Sequence, residues 1–171
     1  MVRAEHRELG FEFPSTPDRI ARLEEGVQIL DLLMTHDNVD FDGHYFQLRY
    51  ATYNPKPVQE PRPPLWIGAG GETYMLPLVA RRADVWHGFG DLDTLKRRMA
   101  IIDKHAEAAG RDPASIGRST TLPISEPMNE VSRLAERLNE MGFGYLMVSW
   151  PPEGDRRVTE VVEEVLARLR D

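Results

Sequence analysis

The chain has 171 residues, a net charge of -7 at neutral pH, a pI near 5.3 and no cysteine. That length suits one domain with a real core, and the acidic balance argues against a nucleic-acid footprint, which wants lysine and arginine clustered on one face. Without cysteine there is no disulfide framework, thiolate nucleophile or zinc-thiolate site; MVRAEHRELG lacks the apolar core of a signal peptide and no stretch nears a membrane span, so a soluble cytoplasmic protein is expected.

Residues 16–35, TPDRIARLEEGVQILDLLMT, set Ile20, Leu23, Val27, Leu30 and Met34 three and four apart, the apolar stripe of an amphipathic helix. Thr16 reads as its cap and Pro17 as its first turn, with Glu24 and Glu25 on the solvated face. In NVDFDGHYFQLRY, Asp42-Gly43 separates two short runs rich in aromatic and β-branched residues, which predicts a hairpin. NPKPVQEPRPP, residues 54–64, carries five prolines in eleven residues and is neither helix nor central strand. It reads as an ordered, extended lead-in to the strand that follows.

From residue 64 the rhythm is strand then helix. LWIGA precedes a helix from about Glu72 to Arg82, and DVWHGF precedes one from Leu92 to Ala109 with Leu92, Leu95, Met99 and Ile102 as its stripe. SIGRSTTLPI gives a third strand, followed by the helix VSRLAERLNEM. YLMVSW gives a fourth, followed by a closing helix with Val158, Val161, Val162, Val165 and Leu169 on its stripe and the EVVEEV acids in solvent. Strands without strict alternation, separated by helices, indicate a parallel sheet covered by helices, so the fold class is α/β.

The chemistry concentrates at IGAGG. A glycine turn after a parallel strand, opening a helix, leaves backbone N–H groups free at a positive helix end where a phosphate can sit. Gly68, Gly70 and Gly71 occupy such a turn, although it lacks G-x-G-x-x-G and the P-loop pattern; the alternative is a tight turn that needs glycine for its backbone angles. Thr73 adds a hydroxyl beside it. The histidines at 6, 36, 44, 87 and 105 fit no metal motif. No partnered serine argues for a hydrolase, Ser149 included. Arg81, Arg82 and the run from Lys96 to Arg98 read as ordinary surface, with Arg82 near enough to the second strand to touch a polyanionic cofactor tail.

The order ELGFEFP, RLEEGVQILDLL, FDGHYF, NPKPVQEPRPPLWIGAGGE, LVARRADVWHGFGDLDTLKRR and HAEAAGRDP resembles the C-terminal half of the luciferase-like monooxygenase family, in particular its branch that uses the deazaflavin coenzyme F420. The resemblance runs from about Glu5 to Trp150. It implies (β/α)8-barrel repeats, about four β-α units preceded by a helix and a β-hairpin, with the whole chain, residues 1–171, forming one domain. It also implies an oxidoreductase or monooxygenase that passes hydride between F420, or alternatively FMN, and a small organic substrate. Gly70 and Gly71 would hold the cofactor phosphate at the end of the fifth strand, within a cofactor-binding set of Gly68, Ala69, Gly70, Gly71, Thr73 and Trp86. ADVWHG would be the sixth strand, its end at Trp86 and His87 facing the same mouth, with His87 as the candidate catalytic residue. Trp66 and Trp86 otherwise read as core or barrel wall, and Trp150 as lining the mouth or a dimer contact.

A whole barrel takes roughly 250 residues and eight strands, and the match lacks the first four. Two open parallel edges recruit partners, so a homodimer or a complementary N-terminal half-barrel chain is expected, with capping of the open sheet by the chain's own hairpin and N-terminal helix as the other outcome. The alternative reading is a catalytically inactive half-barrel acting as a dimeric binding or scaffold protein, and a sugar-phosphate enzyme on another barrel type is a third.

Overall fold

The computed structural model describes residues 3–166. The chain divides into two compact units, one ending at Pro63 and one starting at Pro64.

The first unit holds α1 (Arg3–Glu8), α2 (Thr16–Thr35), and the antiparallel pair β1 (Val39–Asp42) and β2 (Gln47–Ala51). The helix and hairpin fall where spacing and turn chemistry predict them. The cap differs: Ser15 closes the helix start, its Oγ accepting the Asp18 N–H at 3.3 Å, and Thr16 is already helical. Proline is tolerated next because first-turn N–H groups have no helical partner. Along the stripe Val27 is buried, whereas Leu23 and Leu30 remain 42% and 46% exposed beside Phe11, Phe46 and Leu48 in an apolar groove.

Glu25 corrects the expectation of a solvated acidic face. Its carboxylate enters the hairpin loop and accepts the N–H groups of His44, Tyr45 and Phe46 at 2.8, 2.9 and 3.1 Å. Gly43 leaves room for this carboxylate, since a Cβ on it would lie 2.4 Å from Glu25 Oε2 and 2.5 Å from the Phe41 ring and would displace one of them. Desolvation works against ionisation, but the three backbone donors outweigh it and hold the Glu25 pKa below its ordinary value. Residues 54–64 contain no helix or strand. Lys56 orders them by donating to the Leu33 and His36 carbonyls at 2.8 and 2.5 Å, at the helix end where the macrodipole favours a cation.

The second unit repeats one motif four times: β3 (Trp66–Gly68) and α3 (Met75–Arg82), β4 (Val85–Gly88) and α4 (Leu92–Ala108), β5 (Gly117–Thr121) and α5 (Met128–Glu140), β6 (Tyr145–Met147) and α6 (Asp155–Val161). The strands are parallel and stand in sequence order, with Trp66 beside Val85, Val85 beside Gly117, and Ser119 beside Tyr145. An order that never reverses is that of a barrel wall rather than of a doubly wound sheet, which has a switch point. This is the expected α/β class with four β-α units behind a helix and hairpin. The core lies between sheet and helices, with Trp86, Leu76, Leu95, Ile102, Val131 and Leu138 almost wholly buried. Among the described residues one charge enters it: Arg118 is 7% exposed and bonds Asp103 at 2.5 Å, desolvation lowering its pKa while Asp103 opposes the shift.

One boundary and one apolar stripe differ from expectation. α3 starts at Met75 rather than Glu72, since residues 72–74 form a turn. In the last helix Val161 and Val165 are buried but Val162 is 49% exposed, because the helix widens to a π turn over Val162–Leu166 and rotates the stripe; Leu169 lies outside the described residues.

The Glu25 clamp makes a prediction. Glu25→Ala will speed hydrogen exchange at the amides of His44, Tyr45 and Phe46 while β4 amides keep their protection. In the wild type, the depressed pKa means that the clamp is fully present above the ordinary glutamate range and is lost as pH falls through the folded value. Equal protection factors in the two proteins would refute the clamp.

Candidate functional site

The turn between β3 and α3 is held from behind. Ala69 donates its N–H to the His87 carbonyl at 3.2 Å, and its own carbonyl accepts the Trp86 indole N–H at 2.9 Å. Ala69 and Trp86 are 4% and 0% exposed. Neighbours on a strand point to opposite faces, so Trp86 faces the helices and His87 the other side. The expectation that both face the mouth is corrected here: Trp86 reaches the turn only through the Ala69 carbonyl.

Positive φ occurs at Gly10, Gly90, Gly110, Gly142 and Gly154, but not at Gly68, Gly70 or Gly71. The turn therefore does not need glycine for its backbone angles. A Cβ at Gly71 would meet only Met75 at 3.7 Å, and one at Gly68 only the Phe89 ring at 3.6 Å, both ordinary contacts. At Gly70 it would come within 3.1 Å of the Arg98 guanidinium. Among the described residues, none of the N–H groups of 70–74 donates to a backbone carbonyl, whereas Met75 and Leu76 turn back to the Gly71 carbonyl at 3.1 and 3.0 Å. Tyr74 precedes α3 without a side-chain cap, and Gly71 and Thr73 are exposed. The result is a bare backbone at a positive helix end, with the chemistry and room for a phosphate.

Two arginines from α4 reach this turn. Asp91 caps α4 by accepting the Thr94 N–H at 2.8 Å. Arg97 donates to Glu72 Oε1 through Nε and Nη2 at 3.2 and 2.9 Å, and Arg98 Nε lies 3.7 Å from the same oxygen. Arg98 Nη1 donates to the Phe89 carbonyl at 2.6 Å. Sequence reading takes these arginines for ordinary surface, since nothing local links them to Glu72, 25 residues before Arg97. The expected cation, Arg82, instead closes α3, about a 12 Å helix length from the turn.

His87 is half-buried, with Nδ1 3.0 Å from Ser119 Oγ and its ring edge-on to Phe89 at 4.8 Å. Desolvation lowers its pKa below the ordinary histidine value, so the imidazole is neutral at pH 7. On the same side of the sheet Trp66 and Tyr145 meet with centroids 5.0 Å apart. Their strands are three spacings apart, about 14 Å if flat. The rings close that distance over Gly117, where a Cβ would lie 3.4 Å from Tyr145 and 3.1 Å from Val85. Trp66 is thus a half-exposed wall residue rather than core. β6 ends at Met147, and Ser149 and Trp150 lie beyond it, exposed.

Residues 3–130 match the luciferase-like monooxygenase family. The F420-dependent glucose-6-phosphate dehydrogenase of Mycolicibacterium fortuitum is 34% identical over 121 residues, 67% of this chain and 34% of that protein. The enzyme of the same name from Microbacterium testaceum is 36% identical over 147 residues, 86% of this chain and 37% of that protein. The chain thus spans about a third of the length of the curated relatives it matches. In fold it is similar to an F420-dependent secondary alcohol dehydrogenase solved with an F420-acetone adduct, with TM-score 0.80 at 19% identity over 94% of this chain and 64% of that one. It is also similar to the monooxygenase RslO1 of Streptomyces bottropensis, with TM-score 0.74 at 15% identity over 100% of this chain and 67% of that one. Among the described residues no helix is long and apolar enough to cross a membrane.

The His87 environment sets a pH signature. Its folded pKa lies below the unfolded value of about 6.5, so the unfolded chain binds the proton first and stability falls with pH from about 6.5 down through the folded pKa. His87→Gln, which keeps a hydrogen-bonding group near Ser119 and removes the titration, will flatten the dependence of the urea midpoint on pH in that window. An unchanged slope would show that His87 is not desolvated as described.

Proposed function

Because the chain belongs to the luciferase-like monooxygenase family, we propose that it forms the C-terminal portion of a (β/α)8 barrel. In this reading it works in the cytoplasm as an oxidoreductase passing hydride between coenzyme F420 and a small organic substrate. The names of the relatives and the F420-acetone adduct favour the deazaflavin over FMN. When bound, that group supplies the hydride donor or acceptor.

The observation that carries the reading is the bare turn. Gly71 has neither a positive φ nor a close internal neighbour to exclude a side chain, yet the sequence keeps glycine there, which suits close approach by a group from outside the chain. The N–H groups of residues 70–73 and the Thr73 hydroxyl would bind the cofactor phosphate, with Gly68 leaving room at the strand end. Ala69 and Trp86 keep the turn in position. His87, neutral and fixed through Nδ1 by Ser119, would exchange a proton with substrate at Nε2.

Completion of the barrel belongs to the same proposal. Among the described residues β3 and β6 each have one unpaired side in the sheet, and strands from a second copy of this chain, or from a complementary N-terminal half-barrel chain, would close it. A second reading, a dimeric scaffold without activity, draws on the same face: Trp66, Tyr145 and Met147 are 43%, 50% and 51% exposed, an apolar surface that a partner would cover whether or not chemistry follows.

Titration with F420 and with FMN, followed by fluorescence, with mass by light scattering on the same sample, separates the readings. We expect micromolar F420 binding by a dimer and weaker FMN binding; a folded dimer that binds neither supports the scaffold. Gly71→Val should abolish F420 binding and leave the melting temperature nearly unchanged, because its Cβ meets only Met75 at 3.7 Å. Unaltered affinity in that variant removes the turn from the site.

A further inference from the structure

We infer that Arg98 is the side chain that recognises the anion seated on the Gly70–Gly71 turn, and that Glu72 is a built-in competitor for it. This rests on the reading of the turn as a phosphate seat and adds to it the residue that selects for charge.

Arg98 belongs to α4, yet its guanidinium lies where a side chain at Gly70 would be, within 3.1 to 3.3 Å of that Cβ position. It overlies the turn itself. Nη1 is fixed by the Phe89 carbonyl at 2.6 Å, which orients the planar group. Nε is buried and makes no hydrogen bond; its nearest anion is Glu72 Oε1, at 3.7 Å, too far to accept from it.

Glu72 Oε1 already takes two hydrogen bonds from Arg97. Two guanidinium groups thus face a single carboxylate, and the more buried of them overlies Gly70 and keeps an unused donor 3.7 Å from that carboxylate. Asp91 is also near the pair, but it is committed to accepting the Thr94 N–H. A phosphate monoester or diester on the turn would meet Arg98 Nε as an unspent, charge-assisted donor. It would also meet the Glu72 carboxylate as a like charge. Glu72 can move aside with Arg97, whose side chain is 57% exposed.

The test measures dissociation constants for F420, for the same deazaflavin lacking its phosphate-bearing tail, and for inorganic phosphate by thermal shift. Glu72→Gln should tighten F420 and phosphate about threefold at low salt, an effect that shrinks as salt rises. Arg98→Met should weaken both by about tenfold or more, and Arg98→Lys should recover little, because an ammonium lacks the planar fork. The double variant should bind no better than Arg98→Met, and the tail-less deazaflavin should be indifferent to all three changes. If Arg98→Met does not fold, Glu72→Gln decides alone. Binding of F420 that neither substitution alters overturns the role of this pair and leaves the turn as the phosphate seat. Failure of the wild type and Glu72→Gln alike to bind F420 or phosphate overturns both.

Discussion

The geometry of the site depends on one buried hydrogen bond, from the Trp86 indole to the Ala69 carbonyl at 2.9 Å. Ala69 is the residue at which the chain leaves β3, and its N–H extends the ladder to β4 by one more bond. Both backbone polar groups of Ala69 are thus tied to β4, one through the backbone and one through a side chain in the core. A buried carbonyl left unpaired costs about 1 to 3 kcal/mol, so turn and core are coupled. The N–H groups of residues 70–74 can remain without backbone partners because the preceding residue is fixed.

Electrostatics divides the strand ends into two regions. Around Gly70 the charges are fixed and cationic on balance, with Arg97 and Arg98 set against Glu72 at a positive helix end. Around His87 the setting is neutral and aromatic, bounded by Phe89 and tied to Ser119. The separation needs no long-range arrangement, since Gly68 and His87 are register partners and the turn follows Gly68 at once.

The wall bearing these groups has four parallel strands in sequence order, and small residues let its inner layer close. Gly117 allows Tyr145 to reach Trp66. Both rings remain partly exposed. The first unit shows a different economy: a carboxylate from α2 satisfies three loop N–H groups that the two-stranded ladder leaves over, which offsets the marginal stability of an isolated hairpin.

The sequence by itself determined the element order, the α/β class and the position of the glycine turn, because apolar period, proline and glycine act over a few residues and leave a local trace. It also carried the family resemblance, through motifs whose order is one-dimensional. It left open whether the glycines serve the backbone; the φ values and the space at Gly71 show that the backbone angles do not require them, and both are properties of the folded turn. Side-chain direction was beyond it as well: Trp86 and His87 are adjacent, and only the pleat of β4 sends one into the core and the other to the opposite face. Glu25 and Arg98 were read as solvated for the same reason. Their partners lie 19 to 21 residues away for Glu25 and in the β3–α3 turn for Arg98, and no local pattern encodes a charge whose counterpart arrives only when helices and strands pack.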